Sequence, residues 1–193
     1  MIMEEIRSKS IAEHFQVLQK QRDDFFEDEQ VQFENLWARP LAEKWSVGES
    51  LYHLLLMLKV FRRFSVVYIP VMKPVAAMRK NKEYPTTIHD IYQAYTEKHQ
   101  RGMSAPPFVK PPEKVRGTYT LEELQQMLRN ETHKLMKMTS NIEEYMAGNI
   151  YYFDPMAGNP NLIQSIHLLA IHEQHHFKLV KKYQDQVIDR LEL

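Results

Sequence analysis

The stretch Trp45–Ile69, WSVGESLYHLLLMLKVFRRFSVVYI, decides the fold. It opens on Ser46-Val47-Gly48-Glu49, an S-x-x-E capping box in which the serine and glutamate side chains each accept from a backbone N–H at a helix start. From Leu51 onward, Leu54, Leu55, Leu56, Leu58, Phe61 and Phe64 leave almost no polar face. A helix apolar all round is expected to lie between other helices rather than on a surface. Pro70 and Pro74 are expected to stop it. His53 sits in its first two turns, where an ionisable ring is costly to bury without a partner.

Three more segments carry helical periodicity. Upstream, Ile11, Phe15, Leu18, Phe25, Phe33 and Leu36 form a stripe that predicts a helix from Ser10 to Trp37, ended by Arg39-Pro40. Downstream, Thr120-Leu121-Glu122-Glu123 is a second capping box; the stripe after it predicts a helix to about Ala147, with Gly148 just past its end. Asn159-Pro160, read as N-cap and first-turn proline, begins a helix running to about Gln186. Between Pro70 and Tyr119 lie seven of the ten prolines, and Thr87–His99 there predicts a short amphipathic helix. A connection of about fifty residues far exceeds what a helical hairpin needs. It suffices to carry the chain back along a bundle, so that the second and third long helices run parallel. The expected fold is all-α: a single domain over residues 1–193, a four-helix bundle with a proline-rich crossover at 70–119.

The chain has 193 residues, 25 basic against 25 acidic side chains, nine histidines and no cysteine. The absence of cysteine excludes a cysteine nucleophile and any Cys-ligated zinc or iron–sulfur site. Charge balance argues against nucleic-acid binding through bulk electrostatics. Glu4 and Glu5 stand where a signal peptide would be basic, and charges at Lys59, Arg62 and Arg63 interrupt the most apolar run. A cytoplasmic protein with neither a nucleic-acid nor a membrane partner is expected.

The densest histidine cluster is His172-Glu173-Gln174-His175-His176. His172 and His176, four apart, share one helix face and can share one metal ion. The cluster also matches HExxH, with Glu173 as a general base of a zinc protease. Zincins take a third ligand further along, and only seventeen residues follow His176. A third ligand must come from upstream, and His53 is the candidate. Three imidazoles would bind a divalent ion and keep a position open. Glu49, one turn before His53, is within reach to orient it, although its capping box is the favoured account; His175, beside the pair, either orients a ligand or is an exposed neighbour. Asp154 reads as a turn-forming Asp-Pro. His14, His89, His99, His133 and His167 read as ordinary.

The pattern W-S-x-x-E-x-x-x-H-L at Trp45–Leu54, followed by D-P-x-x-G at Asp154–Gly158 and H-E-x-H-H at His172–His176, resembles the DinB-like (YfiT-like) superfamily. The resemblance implies an up-down-down-up four-helix bundle. It further implies a divalent metal, typically zinc or nickel, held by one histidine of the second helix and two of the fourth: His53, His172 and His176. Many members carry histidine where Asp154 stands, and the 70–119 insertion is long for the family; it can cap the site or make a homodimer contact.

Members of that superfamily are similar to metal-dependent hydrolases and to thiol S-transferases that use bacillithiol-like thiols. The functional expectation is therefore a metalloenzyme that activates water or a low-molecular-weight thiol toward a small-molecule substrate. Two alternatives stand beside it: a non-enzymatic, metal-dependent binding or stress-response module, and the HExxH zinc protease.

Overall fold

The computed structural model describes residues 6–99, 103–154 and 157–191, with side chains to residue 186. Met1–Glu5, which bear on the targeting expectation, and Pro155 and Met156 of the D-P-x-x-G motif lie outside the described residues. The described chain is all-helical. The helices are α1 (Lys9–Phe26), α2 (Val47–Met78), α3 (Ile91–His99), α4 (Leu121–Thr139), α5 (Glu144–Asn149) and α6 (Leu162–Leu191), with 3-10 turns at Pro107–Val109 and Glu113–Val115. Tyr151 and Asn161 form an isolated bridge. Among the described residues, no helix is long and apolar enough to cross a membrane.

Both expected capping boxes form. Ser46 accepts from the Glu49 N–H at 3.1 Å while Glu49 accepts from the Ser46 N–H at 2.9 Å. Thr120 and Glu123 do the same at 3.2 and 2.9 Å. α6 opens on a third reciprocal cap, Asn161 with Gln164, at 2.9 and 3.1 Å. This start lies two residues beyond the one expected at Asn159, because Asn159 has φ 55°, outside the extended conformation a helix N-cap adopts.

The other boundaries differ for identifiable reasons. α1 stops at Phe26 instead of Trp37. A turn follows in which Asp28 accepts from the Gln30 N–H and pairs with Lys181 of α6. The apolar period continues past it because Phe33 folds back edge-on to Phe25, which stacks on Phe177 of α6 at 3.9 Å. Conversely, α2 runs through Pro70 and Pro74 to Met78. Both prolines lie on its exposed side, and Val66, whose carbonyl loses its N–H partner at Pro70, is exposed as well, so water can take that partner's place. The helix expected over Thr120–Ala147 breaks after Thr139. There, Thr139 and Ser140 hydroxyls donate to the carbonyls of Leu135 and Lys137, each at 3.0 Å. The chain then re-enters helix as α5, whose Glu144 accepts from the hydroxyls of Ser8 and Ser10 at the start of α1.

α1 packs on α6 and α2 on α4, with α5 bridging α2 and α6 and a further contact between α2 and α6. One apolar cluster joins them: Ile11 and Leu18 from α1, Leu51 and Leu55 from α2, Leu124 and Leu128 from α4, Leu162 and Ile166 from α6. α2 is buried on most sides from Val47 to Leu58, and beyond that only along one face, through Ser65, Ile69 and Ala76. There it exposes Phe64, Val67 and Val71, contrary to a helix surrounded on all sides.

Gly148 lies inside α5 rather than past a helix end, and a Cβ there would meet the Tyr84 ring at 2.1 Å. Gly148→Ala is expected to cost about 1–3 kcal/mol by overpacking. Thermal unfolding measures it, and Tyr84→Ala in the same chain should recover part of the loss.

Candidate metal centre

The capped start of α2 carries His53 into the interior, and the middle of α6 brings His172 and His176 to meet it. His53 is 2%, His172 5% and His176 9% exposed. The His53 Nδ1–H donates to the Val109 carbonyl at 2.8 Å, so its Nε2 presents a bare lone pair. That Nε2 lies 3.2 Å from His172 Nε2, which lies 3.1 Å from His176 Nε2. One nitrogen of each ring falls within 4.8 Å of the other two, the arrangement of three donors to one ion.

The donor chemistry fits a cation. His172 Nε2 carries either one proton or one lone pair, so it cannot satisfy both neighbours. Donors at 2.0–2.1 Å from a common ion stand roughly 2.9–3.4 Å apart for angles near 90–110°. Burial pushes all three imidazoles below their ordinary pKa, and mutual repulsion adds to this at His172 and His176. They are kept in the neutral form that ligates.

Two aromatic walls enclose the nitrogens. Trp45 packs on His53 with ring centroids 4.8 Å apart and lies nearly parallel to His176 at 5.9 Å. Tyr92 of α3 stacks on His172 at 5.0 Å and on His175 at 4.9 Å. Burial, with Asp154 and Asp90 nearby, raises the Tyr92 pKa well above its ordinary value, so the phenol stays protonated. Tyr92 and Val109 both belong to the crossover. Its residues Pro85–Ile88 are held one by one: Asn161 donates to the Pro85 carbonyl at 2.8 Å, His14 Nε2 to Thr86 at 2.7 Å and Gln164 to Thr87 at 2.8 Å, while the Ile88 N–H donates to His167 Nδ1 at 3.0 Å. The His14 and His167 rings stack at 4.4 Å. The crossover thus lies over the histidines.

The structure brings together His53, His172 and His176, with His175 beside them at 5.5 Å from the His176 ring. It does not bring Glu173 or Glu49 to them. Glu173 accepts from Arg22 Nε and Nη2, both at 2.7 Å, and this buried pair, with Arg22 also bound to Thr132, takes up the carboxylate suggested as a base. Glu49 accepts from Arg39 at 2.8 and 2.9 Å and from Arg116 at 2.9 Å. Burial works to raise its pKa, but hydrogen bonds from Arg39, the Ser46 backbone and Arg116 outweigh it and hold it at about 2. It is a cap and an arginine junction, not a group that orients His53. Asp154 forms the expected turn, accepting from the Ala157 N–H at 3.1 Å. His133, His89 and His99 are exposed as expected; His14 and His167 are not ordinary, because they clasp the crossover. Tyr92 and the Val109 carbonyl escaped the sequence reading. No local pattern links Tyr92 to His172, eighty positions on, or Val109 to His53, 56 positions back.

Comparison with protein-family models, curated proteins and solved structures finds no match to this chain.

Two outcomes follow from these contacts. Glu173→Gln leaves Arg22 buried without its counter-charge, so unfolding stability should fall by about 3 kcal/mol while the metal-to-protein ratio stays unchanged. The metal-free protein should lose stability as pH falls. The folded-state imidazole pKa values lie below the unfolded value of about 6.5, so the unfolded chain binds more protons; stability is complete above that pH and declines below it. A Tm series from pH 7.5 to about 5 with chelator present measures the decline.

Proposed function

We propose that this chain is a DinB-like metalloprotein. Its α1, α2, α4 and α6 form an up-down-down-up bundle that holds one zinc or nickel ion on His53, His172 and His176 to activate water or a low-molecular-weight thiol. The observation that carries this reading is the convergence of three buried, neutral Nε2 atoms from two helices. The pairing of α1 with α6 and of α2 with α4 supports the bundle, as does a connection from Arg79 to Thr120 long enough to leave α2 and α4 parallel.

A bound divalent ion would lower the pKa of a coordinated water toward 7, or stabilise a thiolate. The chain's own groups prepare that site. The Val109 carbonyl fixes the His53 tautomer and ring orientation. Trp45 and Tyr92 exclude bulk water, and the protonated Tyr92 hydroxyl is a donor for a substrate oxygen. His175, held neutral chiefly by burial, is the unliganded imidazole beside the pair that can accept a proton. With no cysteine in the chain, thiol chemistry requires a thiol from outside.

The second reading, a non-enzymatic metal-binding module, draws support from the cover: four hydrogen bonds clasp the crossover in place over the histidines. The protease reading has no free Glu173 carboxylate to use.

Chelated protein reloaded with zinc or nickel should take up one ion per chain. His53→Ala, His172→Ala and His176→Ala should each lose it. Loaded protein should then turn over either electrophiles in the presence of bacillithiol or an ester and amide panel, and His176→Ala should not. Full loading with no turnover in either assay favours the binding module. A protein that stays metal-free after reconstitution contradicts both readings.

A further inference from the structure

The second half of α2 carries a surface that neither the fold nor the metal centre uses. Val60, Phe64, Val67, Val71, Val75 and Met78 recur at steps of three and four, and so share one face of the helix over about 27 Å. They are 39, 54, 69, 66, 44 and 89% exposed. An apolar ridge of this length is far from the scattered single residues that ordinary surfaces show. Along its flank runs the segment Tyr151–Phe153. Tyr68 donates to the Tyr151 carbonyl at 2.6 Å, Tyr152 packs against Phe64 and Tyr68, and the next residue, Phe153, is 87% exposed.

The charges that α2 itself carries along the ridge are of one sign. From Ser50 to Lys82 the chain has no Asp or Glu and seven Lys or Arg, within a protein of zero net charge. Arg62 is paired with Glu131. Arg63 and Lys73 are exposed along α2, and Arg79, Lys80 and Lys82 are exposed at its end, where Arg79 lies over the Tyr151 ring and Lys80 over Tyr145.

An apolar stripe flanked by cations, with tyrosines alongside, is the composition that lies in an anionic membrane interface. A second copy fits less well, since pairing the ridges would bring together surfaces on which the cations of α2 outnumber the acids at its edges, Glu83 and Asp154. A partner helix fits less well because the feature is a ridge, and helix recognition seats an apolar face in a groove. A bilayer surface deforms around a ridge.

We propose that this face of α2 docks on an anionic lipid bilayer, the ridge at the acyl boundary and Arg63, Arg79, Lys80 and Lys82 among the headgroups. This departs from the expectation of no membrane partner, and it is peripheral docking, not spanning. It is independent of the metal centre.

Co-sedimentation of the full chain with vesicles tests it. The protein should bind phosphatidylcholine vesicles containing phosphatidylserine, release with added salt, and leave vesicles of phosphatidylcholine alone largely unbound. Val67→Glu with Val71→Glu should weaken binding at least about tenfold, as should Arg63→Gln with Arg79→Gln and Lys80→Gln. All five positions are exposed, and unchanged helical circular dichroism and metal content confirm that the variants fold. No binding to anionic vesicles, or equal binding by the Val67→Glu, Val71→Glu protein, overturns the proposal. A dimer in solution that those two substitutions dissociate, or binding of an acidic amphipathic peptide in place of vesicles, reassigns the face to a protein interface and overturns it equally.

Discussion

Three imidazole nitrogens held face to face out of water are the constraint around which this molecule is arranged. Two Nε2 atoms stand 3.1 and 3.2 Å from a third, and a neutral ring has one proton or one lone pair at that atom. Left to themselves they are poorly satisfied, and each is too buried to ionise cheaply. A shared cation would resolve both problems, and the binding free energy of such an ion would then also be folding free energy for α2 and α6. The aromatic walls and the Val109 carbonyl make sense in the same terms. They fix ring orientation before any ion arrives, and so lower the entropy lost on binding.

The rest of the polar interior fixes the geometry. The buried Arg22–Glu173 pair ties α1 to the α6 turn that bears His172 and His176. Glu49, paired with both Arg39 and Arg116, joins the loop before α2, the start of α2 and the loop before α4 through one carboxylate. Buried pairs of this kind contribute little net stability against apolar replacements, because desolvation offsets their attraction. Their directional bonds select one register of α1 on α6 and one seat for the capped end of α2. The His14 and His167 clasp does the same for the crossover, using backbone groups of Thr86 and Ile88 that would otherwise lack partners in an irregular segment.

Much of this was readable in the chain. Helical class followed from 3- and 4-residue periodicity, and the two capping boxes marked the starts of α2 and α4, because reciprocal caps are local chemistry. The three histidines could be singled out because the i, i+4 spacing and a lone ionisable ring on an apolar helix are local patterns too. What failed was tertiary. Phe33 and Leu36 kept the period of α1 after a turn had ended the helix, since they return to the same core. Pro70 and Pro74 did not stop α2, because solvent can stand in for a lost N–H on an exposed face. Glu173 looked like a base by motif, yet Arg22, 151 positions away, had claimed it. Tyr92 and Val109 reach the site only through the path of the crossover; the periodicity of Thr87–His99 marked a helix there but not what it packs against.

X-ray absorption at the metal edge of reconstituted protein addresses the centre directly. Three imidazole nitrogens at about 2.0–2.1 Å are expected in the native chain, and two in His53→Ala if any ion is retained. An ion ligated mainly by oxygen, with a spectrum unchanged by His53→Ala, would contradict the assignment of His53, His172 and His176 as its ligands.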